Sequence, residues 1–277
     1  MNTPATQQIP RILSIAGTDP TGGAGIHADL KSIAANGGYG MAALTALVAQ
    51  NTMGVRSIHT PPASFLTEQL LAVSDDVTID AVKIGMLFNT PIISAVADWL
   101  TEVRPPAVVL DPVMVATSGD ALLSDSATEA LRDLLPAADL VTPNIPELGA
   151  LLGQGAAATW EDALAQAKTL AATYGTQVLA KGGHLSGEES ADALVGPDGE
   201  VEVFSSPRIA TVNTHGTGCS LSSAVATRYA RTRSWATAIR QAKEWLTDSI
   251  AGADRLNVGH GNGPISHFAT LWRCANT

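Results

Sequence analysis

Short apolar runs alternate along the chain with longer stretches whose apolar positions recur at helical spacing. This alternation predicts a mostly parallel sheet covered by helices, the α/β class. The predicted strands are RILSIAG from Arg11, DAVKIGML from Asp80, AVVLDPV from Ala107, DLVTPN from Asp139 and QVLAKGG from Gln177. Between them, Ile26, Leu30 and Ile33 share one helical face, and the alanine-rich stretch from Trp160 to Thr173 predicts another helix. LVGPDGEVEVF differs, because Pro-Asp-Gly between two apolar runs is a turn signal and predicts a β-hairpin. Two adjacent helices, from about Cys219 to Tyr229 and from about Ala236 to Ala251, close the fold. Internal repeats, linkers and composition breaks are all lacking, so residues 11–277 read as a single domain behind a flexible segment over residues 1–10.

Ligands of parallel α/β sheets bind beyond the carboxyl ends of the strands, and GTDPTGGAG, DPVM, TPNIPE and KGGH all fall there. One crevice can collect all four. The net charge of −10, from 16 basic and 26 acidic residues, offers no basic stripe for a nucleic-acid backbone or an anionic membrane. Any phosphate must therefore be held locally. Cys219 and Cys274 form no C-x-x-C pair and no Cys/His cluster, which argues against a zinc site or a disulfide scaffold. The apolar run MAALTALVA is too short to span a bilayer, and MNTPATQQIPR has no apolar signal core. A soluble protein of the reducing cytoplasm is expected.

Four motifs carry candidate chemistry. In AGTDPTGGAGIHADLK the spacing G-x-x-x-x-G-G-x-G matches neither a dinucleotide fingerprint nor a Walker A loop. Gly17, Gly22, Gly23 and Gly25 either make a tight turn or let backbone approach a small planar ligand, with Asp29 offering a carboxylate one helical turn on. TPNIPELGALL places Asn144 and Glu147 at N-x-x-E spacing after a strand, suited to a hydrated Mg²⁺ or to a plain helix start with Pro in its first turn. Asp111 assists that metal or caps a turn. Lys181 is a solvated strand end or a phosphate contact.

HGTGCS is the fourth motif. The backbone N–H groups of Gly216, Thr217, Gly218 and Cys219 would sit at a helix N-terminus and form an anion hole. A thiol there feels the positive helix end, which can lower its pKa from about 8.5 toward neutrality and make it a base. The alternative is an inert buried cysteine.

Taken in order, SIAGTDPTGGAGIHADLK, GYGMAALTALVAQNTMGV, KIGML, VVLDPVMVATSGDALL, LVTPNIPE, KGGH and NTHGTGCSLSSAVA resemble the ribokinase-like kinases. Within them the resemblance is to the hydroxymethylpyrimidine/phosphomethylpyrimidine kinases of thiamine synthesis. It implies a three-layer α/β/α sandwich with a mostly parallel central sheet and a small β flap, a homodimer, and use of ATP with Mg²⁺. It places Asn144 and Glu147 at the metal and phosphate motif, and Gly216 to Cys219 at the anion hole, with Cys219 where the wider superfamily carries an aspartate base. Gly17, Asp29, Gln50, Met86, Val113 and Cys219 are implied around the pyrimidine. The Gln50 amide offers both a donor and an acceptor to an aminopyrimidine edge. Pyridoxal kinases that bear a cysteine are the alternative enzyme reading, and a vitamer or nucleotide sensor without turnover is the reading from another class.

Overall fold

The computed structural model describes residues 8–115, 122–123, 125–183 and 187–275. Residues 1–7 of the expected flexible segment, 116–121 of the DPVM block and His184 of KGGH lie outside the described residues. The first half of the chain runs β1 (Arg11–Ala16), α1 (Gly25–Ala35), β2 (Tyr39–Leu44), β3 (Leu47–Asn51), β4 (Gly54–His59), α2 (Ala63–Ser74), β5 (Ala81–Ile84), α3 (Thr90–Val103), β6 (Val108–Leu110) and α4 (Asp125–Leu134). The second half runs β7 (Leu140–Val141), α5 (Ile145–Leu152), α6 (Trp160–Tyr174), β8 (Gln177–Lys181), β9 (Glu189–Val195), β10 (Val201–Pro207), α7 (Thr217–Thr232), α8 (Trp235–Ala251) and α9 (Ala269–Ala275).

Among the described residues, eight strands form one sheet in the order β10-β9-β8-β7-β6-β5-β1-β2. The ladder is parallel from β8 to β2, while the predicted hairpin supplies the antiparallel edge β9 and β10. Alternate strand residues are buried against opposite helix layers, as the two-residue side-chain period requires. Leu13, Val82, Val108, Val141 and Val178 pack with Leu66, Leu70, Ile92, Val96, Trp99, Leu131, Leu148 and Leu170 from α2 to α6. Their neighbours Ile12, Ala81, Val109, Leu140 and Leu179 pack with Ile33, Leu221, Val225 and Ile239 from α1, α7 and α8. These are the expected three layers. No helix among the described residues is long and apolar enough to cross a membrane.

Two strand segments are shorter than their apolar runs. DAVKIGML pairs only over Ala81–Ile84, and AVVLDPV only over Val108–Leu110. Beyond Ile84 and Leu110, at the carboxyl ends, Met86 and Asp111 line the crevice. The chain starts at β1, goes outward to β2 and returns to β5 on the other side, so β1 and β5 flank a switch point where the crevice opens. The separate pair β3-β4 is the β flap, and its register shifts between Ala49 and Gln50.

Candidate active site

A cleft of about 720 Å³ opens at the carboxyl ends of the parallel strands. Gly17 and Gly25 enter it after β1, Val48 and Gln50 from the flap, Met86 after β5, Asp111 and Val113 after β6, Asn144 and Glu147 after β7, and Lys181 from β8. Gly216, Thr217, Gly218 and Cys219 face the same space. Its volume suits a nucleotide beside a small ring. The irregular pairing at Gln50 is the kind of bulge that re-aims a side chain, here into the cleft.

Helix α7 begins at Thr217 with Gly216 as its N-cap, held at φ +78°. A Cβ at Gly216 would collide with the Gly23 carbonyl oxygen, so glycine is needed both for the backbone angle and for the close approach of the two loops. The N–H groups of the first turn have no acceptor within the helix and carry the positive end of its dipole. Lys181 lies against that turn, since a Cβ on Gly218 would stand 3.3 Å from its Nζ. A preformed anion site results.

The side chains around this site form one buried network. Lys181 Nζ donates to Asp111 Oδ1 at 2.8 Å, and Thr142 Oγ1 donates to the same oxygen at 3.0 Å. Burial works against ionising Asp111, but Lys181, Lys83 and the Thr142 hydroxyl prevail and hold its carboxyl below the usual range. Burial likewise opposes the Lys181 charge, and Asp111 and Glu147 overcome it, so its pKa is raised. Lys181 is therefore not the solvated strand end of the bland reading.

Asn144 and Glu147 cap α5 reciprocally. Glu147 N–H donates to Asn144 Oδ1 at 2.9 Å, and Asn144 N–H donates to Glu147 Oε2 at 2.8 Å, a capping box with Pro146 in the first turn. The structural reading of N-x-x-E is thus correct, and the same residues also line the cleft. Burial pushes the Glu147 carboxyl up to about 7, Lys181 pulls it down, and Asp111 adds to the rise. The described residues contain no cluster of three or more His, Cys, Asp or Glu that could cage a metal. What is present is a hard oxygen donor in need of a counter-charge beside an anion site, and it fits a hydrated Mg²⁺ that keeps most of its water. Asp111 is the other candidate for the metal; its Oδ1 accepts from Lys181 and Thr142, and its Oδ2 lies 3.4 Å from Ser222 Oγ.

Cys219 is half-buried at the cleft floor. The expected depression of its pKa is reversed. Burial pushes the thiol up to about 11, and Asp29 and Asp111 add to this, while Lys83 and the Gly25 N–H pull it down. Desolvation is the largest contribution, and Lys83 and the Gly25 N–H do not offset it. Asp29 also departs from expectation, for it does not offer a free carboxylate to the cleft. Its side chain is fully buried, paired with Lys83 Nζ at 2.9 Å. Gly22 and Gly23 do not line the cleft either: Gly22 takes a turn conformation at φ +80°, and Gly23 packs beneath His215.

Sequence reasoning missed the clamp that fixes these loops. Asp19 accepts from the N–H groups of Thr21, Gly23 and Ala24, and its Oδ2 lies 2.8 Å from His215 Nε2. Burial opposes the Asp19 charge, yet the bonds from His215 and Thr21 hold it at about 2. The two partners are 196 residues apart, so local spacing carries no signal for the contact. Lys243 and Asp192, joined at 2.5 Å, also line the cleft and were not singled out.

Residues 19–266 match the phosphomethylpyrimidine kinase family. The chain is 51% identical over 261 residues to the hydroxymethylpyrimidine/phosphomethylpyrimidine kinase of Escherichia coli K12, covering 94% of this chain and 98% of that one. It is 54% identical over 264 residues to the thiamine biosynthesis multifunctional protein ThiED of Corynebacterium efficiens, covering 95% of this chain but 36% of that longer protein. This chain thus spans about a third of the length of that relative. Among solved structures, the ADP complex of Bacillus subtilis pyridoxal kinase superposes with a TM-score of 0.87 at 34% identity, covering 95% of this chain and 99% of that one. The extent of the family match, 248 of 277 residues counted from 19 to 266, leaves one conclusion: the chain belongs to the phosphomethylpyrimidine kinase family.

Proposed function

We propose that the chain transfers the γ-phosphoryl group of ATP to the hydroxymethyl group of 4-amino-5-hydroxymethyl-2-methylpyrimidine, and then phosphorylates the monophosphate to the diphosphate for thiamine synthesis. It works as a cytoplasmic homodimer, the form that the family resemblance implies. The observation that carries the reading is the anion site at the first turn of α7, with Lys181 beside it and Gln50 across the cleft.

The ring lies between Met86 and Val113, with the Gln50 amide pairing its amino edge and its hydroxymethyl arm directed at Cys219. The hydroxyl oxygen attacks the γ-phosphorus, the bond to the β-γ bridging oxygen breaks, and ADP leaves. First-turn amides and the Lys181 ammonium stabilise the charge on the transferring group. Phosphoryl transfer through a loose transition state asks little of a base, which suits a thiol whose pKa stands near 11. Cys219, still protonated at such a pKa, orients the hydroxyl through its sulfur, and the hydroxyl proton passes to an oxygen of the transferring phosphoryl group as the new O–P bond forms. Mg²⁺, when bound, neutralises nucleotide phosphate oxygens, and Glu147 is the residue that would hold it through its waters.

Pyridoxal kinase is the second reading, favoured by the likeness to the Bacillus subtilis structure. Gln50 favours the pyrimidine, because an amide matches an amine next to a ring nitrogen. The test is ADP release with the pyrimidine, its monophosphate and pyridoxal offered separately. The proposal requires turnover of both pyrimidine acceptors, and release with pyridoxal alone would replace it with the second reading.

A further inference from the structure

Beneath the cleft lies an ion pair that none of the reacting groups contacts in the scheme above. Lys83, near the carboxyl end of β5, and Asp29, on the inward face of α1, both have fully buried side chains. Asp29 accepts from Lys83 Nζ through both oxygens at 2.9 Å, from Ser14 Oγ at 2.6 Å and from Ser223 Oγ at 2.8 Å. Four elements, β1, α1, β5 and α7, are therefore tied at one carboxylate. Burying such a pair is costly unless its remaining lone pairs and protons are satisfied, and well-packed apolar residues serve stability as well or better. A fully satisfied buried pair at this position calls for another account.

Helix periodicity supplies it. Gly25 and Asp29 lie one turn apart on α1, and Cys219 and Ser223 lie one turn apart on α7. The Gly25 N–H points to the Cys219 sulfur, and Ser223 donates to Asp29. The two helices are thus joined by two successive rungs, with the sulfur on the upper rung and the ion pair on the lower. We propose that the Asp29–Lys83 pair is the positioning element that sets the charge state and placement of the Cys219 sulfur, Lys83 favouring the thiolate and Asp29 opposing it.

Among the described residues, the charged groups that face that sulfur include Lys83 from β5, Asp29 from α1, Asp111 after β6 and Lys181 from β8. Burial disfavours the Lys83 charge, and Asp29, Cys219 and Asp111 more than restore it, so Lys83 stays cationic. Removing one member of the pair leaves the other's field on the sulfur uncompensated. The two partners must then act with opposite sign. A purely structural ion pair predicts the reverse, because loss of either partner loosens the same packing and exposes the sulfur in the same way.

The inference rests on the reading of Cys219 as the group beside the reacting hydroxyl, and its test needs no turnover. Failure of the kinase assay and failure of this inference are therefore separable. The experiment measures iodoacetamide alkylation of Cys219 from pH 6 to pH 11 in a Cys274→Ser background, with fold verified by circular dichroism. At pH 8, Asp29→Asn accelerates alkylation and Lys83→Met slows it, each on the order of tenfold, because the rate follows the thiolate fraction. Ser223→Ala is the packing control: it breaks the hydrogen bond to Asp29 and loosens the same rung without removing a charge, and it leaves the rate at pH 8 unaccelerated. Rates that shift in the same direction in Asp29→Asn and Lys83→Met, an acceleration in Ser223→Ala as large as in Asp29→Asn, or unchanged profiles would overturn the proposal. If Lys83→Met does not fold, Asp29→Asn and Ser223→Ala decide: acceleration at pH 8 in the first alone supports the inference, and acceleration in both or in neither overturns it.

Discussion

Replacing Gly216 by alanine separates the two roles that the structure gives this residue. Its φ of +78° costs an alanine about 1–2 kcal/mol. The added Cβ would also strike the Gly23 carbonyl oxygen, a backbone atom that cannot rotate away. The loops must then part, and the Asp19–His215 clamp at 2.8 Å parts with them. Gly175 is the internal control: its φ is +67°, yet a Cβ there meets nothing within 4 Å, and it lies just before β8, at the end of the sheet away from the cleft. Gly175→Ala should lose only the conformational cost, about 2–4 °C in Tm, with kcat intact. Gly216→Ala should lose about 3 kcal/mol or more and, because it displaces the first turn of α7 by an ångström or so, about 10²-fold in kcat. Differential scanning fluorimetry and an ADP-coupled assay on the two variants give both readouts. Equal Tm losses with full kcat in Gly216→Ala would refute the loop-against-loop arrangement.

Glu147→Gln keeps the capping geometry, because glutamine can accept from Asn144 N–H, but loses the charge. A Mg²⁺ titration of activity should shift to higher concentration and kcat should fall, whereas an unchanged titration would confine Glu147 to capping α5. Gln50→Leu should raise KM for the pyrimidine and erode its preference over the analogue lacking the 4-amino group, since a site built to pair a polar edge rejects ligands that leave it unpaired. Equal losses for both ligands would remove Gln50 from recognition. His267 is buried beside Ser220 Oγ, and burial, reinforced by Lys31, holds its pKa down to about 3. Its folded pKa is below the unfolded value of about 6.5, so the unfolded chain binds the proton first as pH falls, and stability should drop from about pH 6.5 toward pH 3, by an amount on the order of a few kcal/mol. His267→Gln should flatten that part of the Tm-pH curve, and parallel curves would contradict the assignment.

The two-period and helical patterns read the sheet correctly wherever a strand is apolar on both faces, as Ile12 to Ile15 and Val178 to Ala180 are. They did not single out β2, because YGMAAL is rich in glycine and alanine, residues with little strand preference, and it is paired on only one side. The flap was legible only through family resemblance: a lone two-stranded ribbon with mixed exposure leaves little hydrophobic signal of its own. At the site, N-x-x-E and HGTGC could be located because their chemistry is local, in a cap and in a helix start. Asp29 was misread for the opposite reason. Its spacing from Gly25 is helical, but which face of α1 it occupies depends on Lys83, 54 residues away, and on Ser223, 194 residues away. The pKa of Cys219 follows from the same distant groups, so the helix end alone gave the wrong direction.

The most direct test of the account is product identification by mass spectrometry after purified protein is incubated with ATP, Mg²⁺ and 4-amino-5-hydroxymethyl-2-methylpyrimidine. The account predicts that the monophosphate appears first and is then converted to the diphosphate, with ADP formed at each step. Folded protein that yields neither phosphate, while pyridoxal supplied in parallel is phosphorylated, would contradict it.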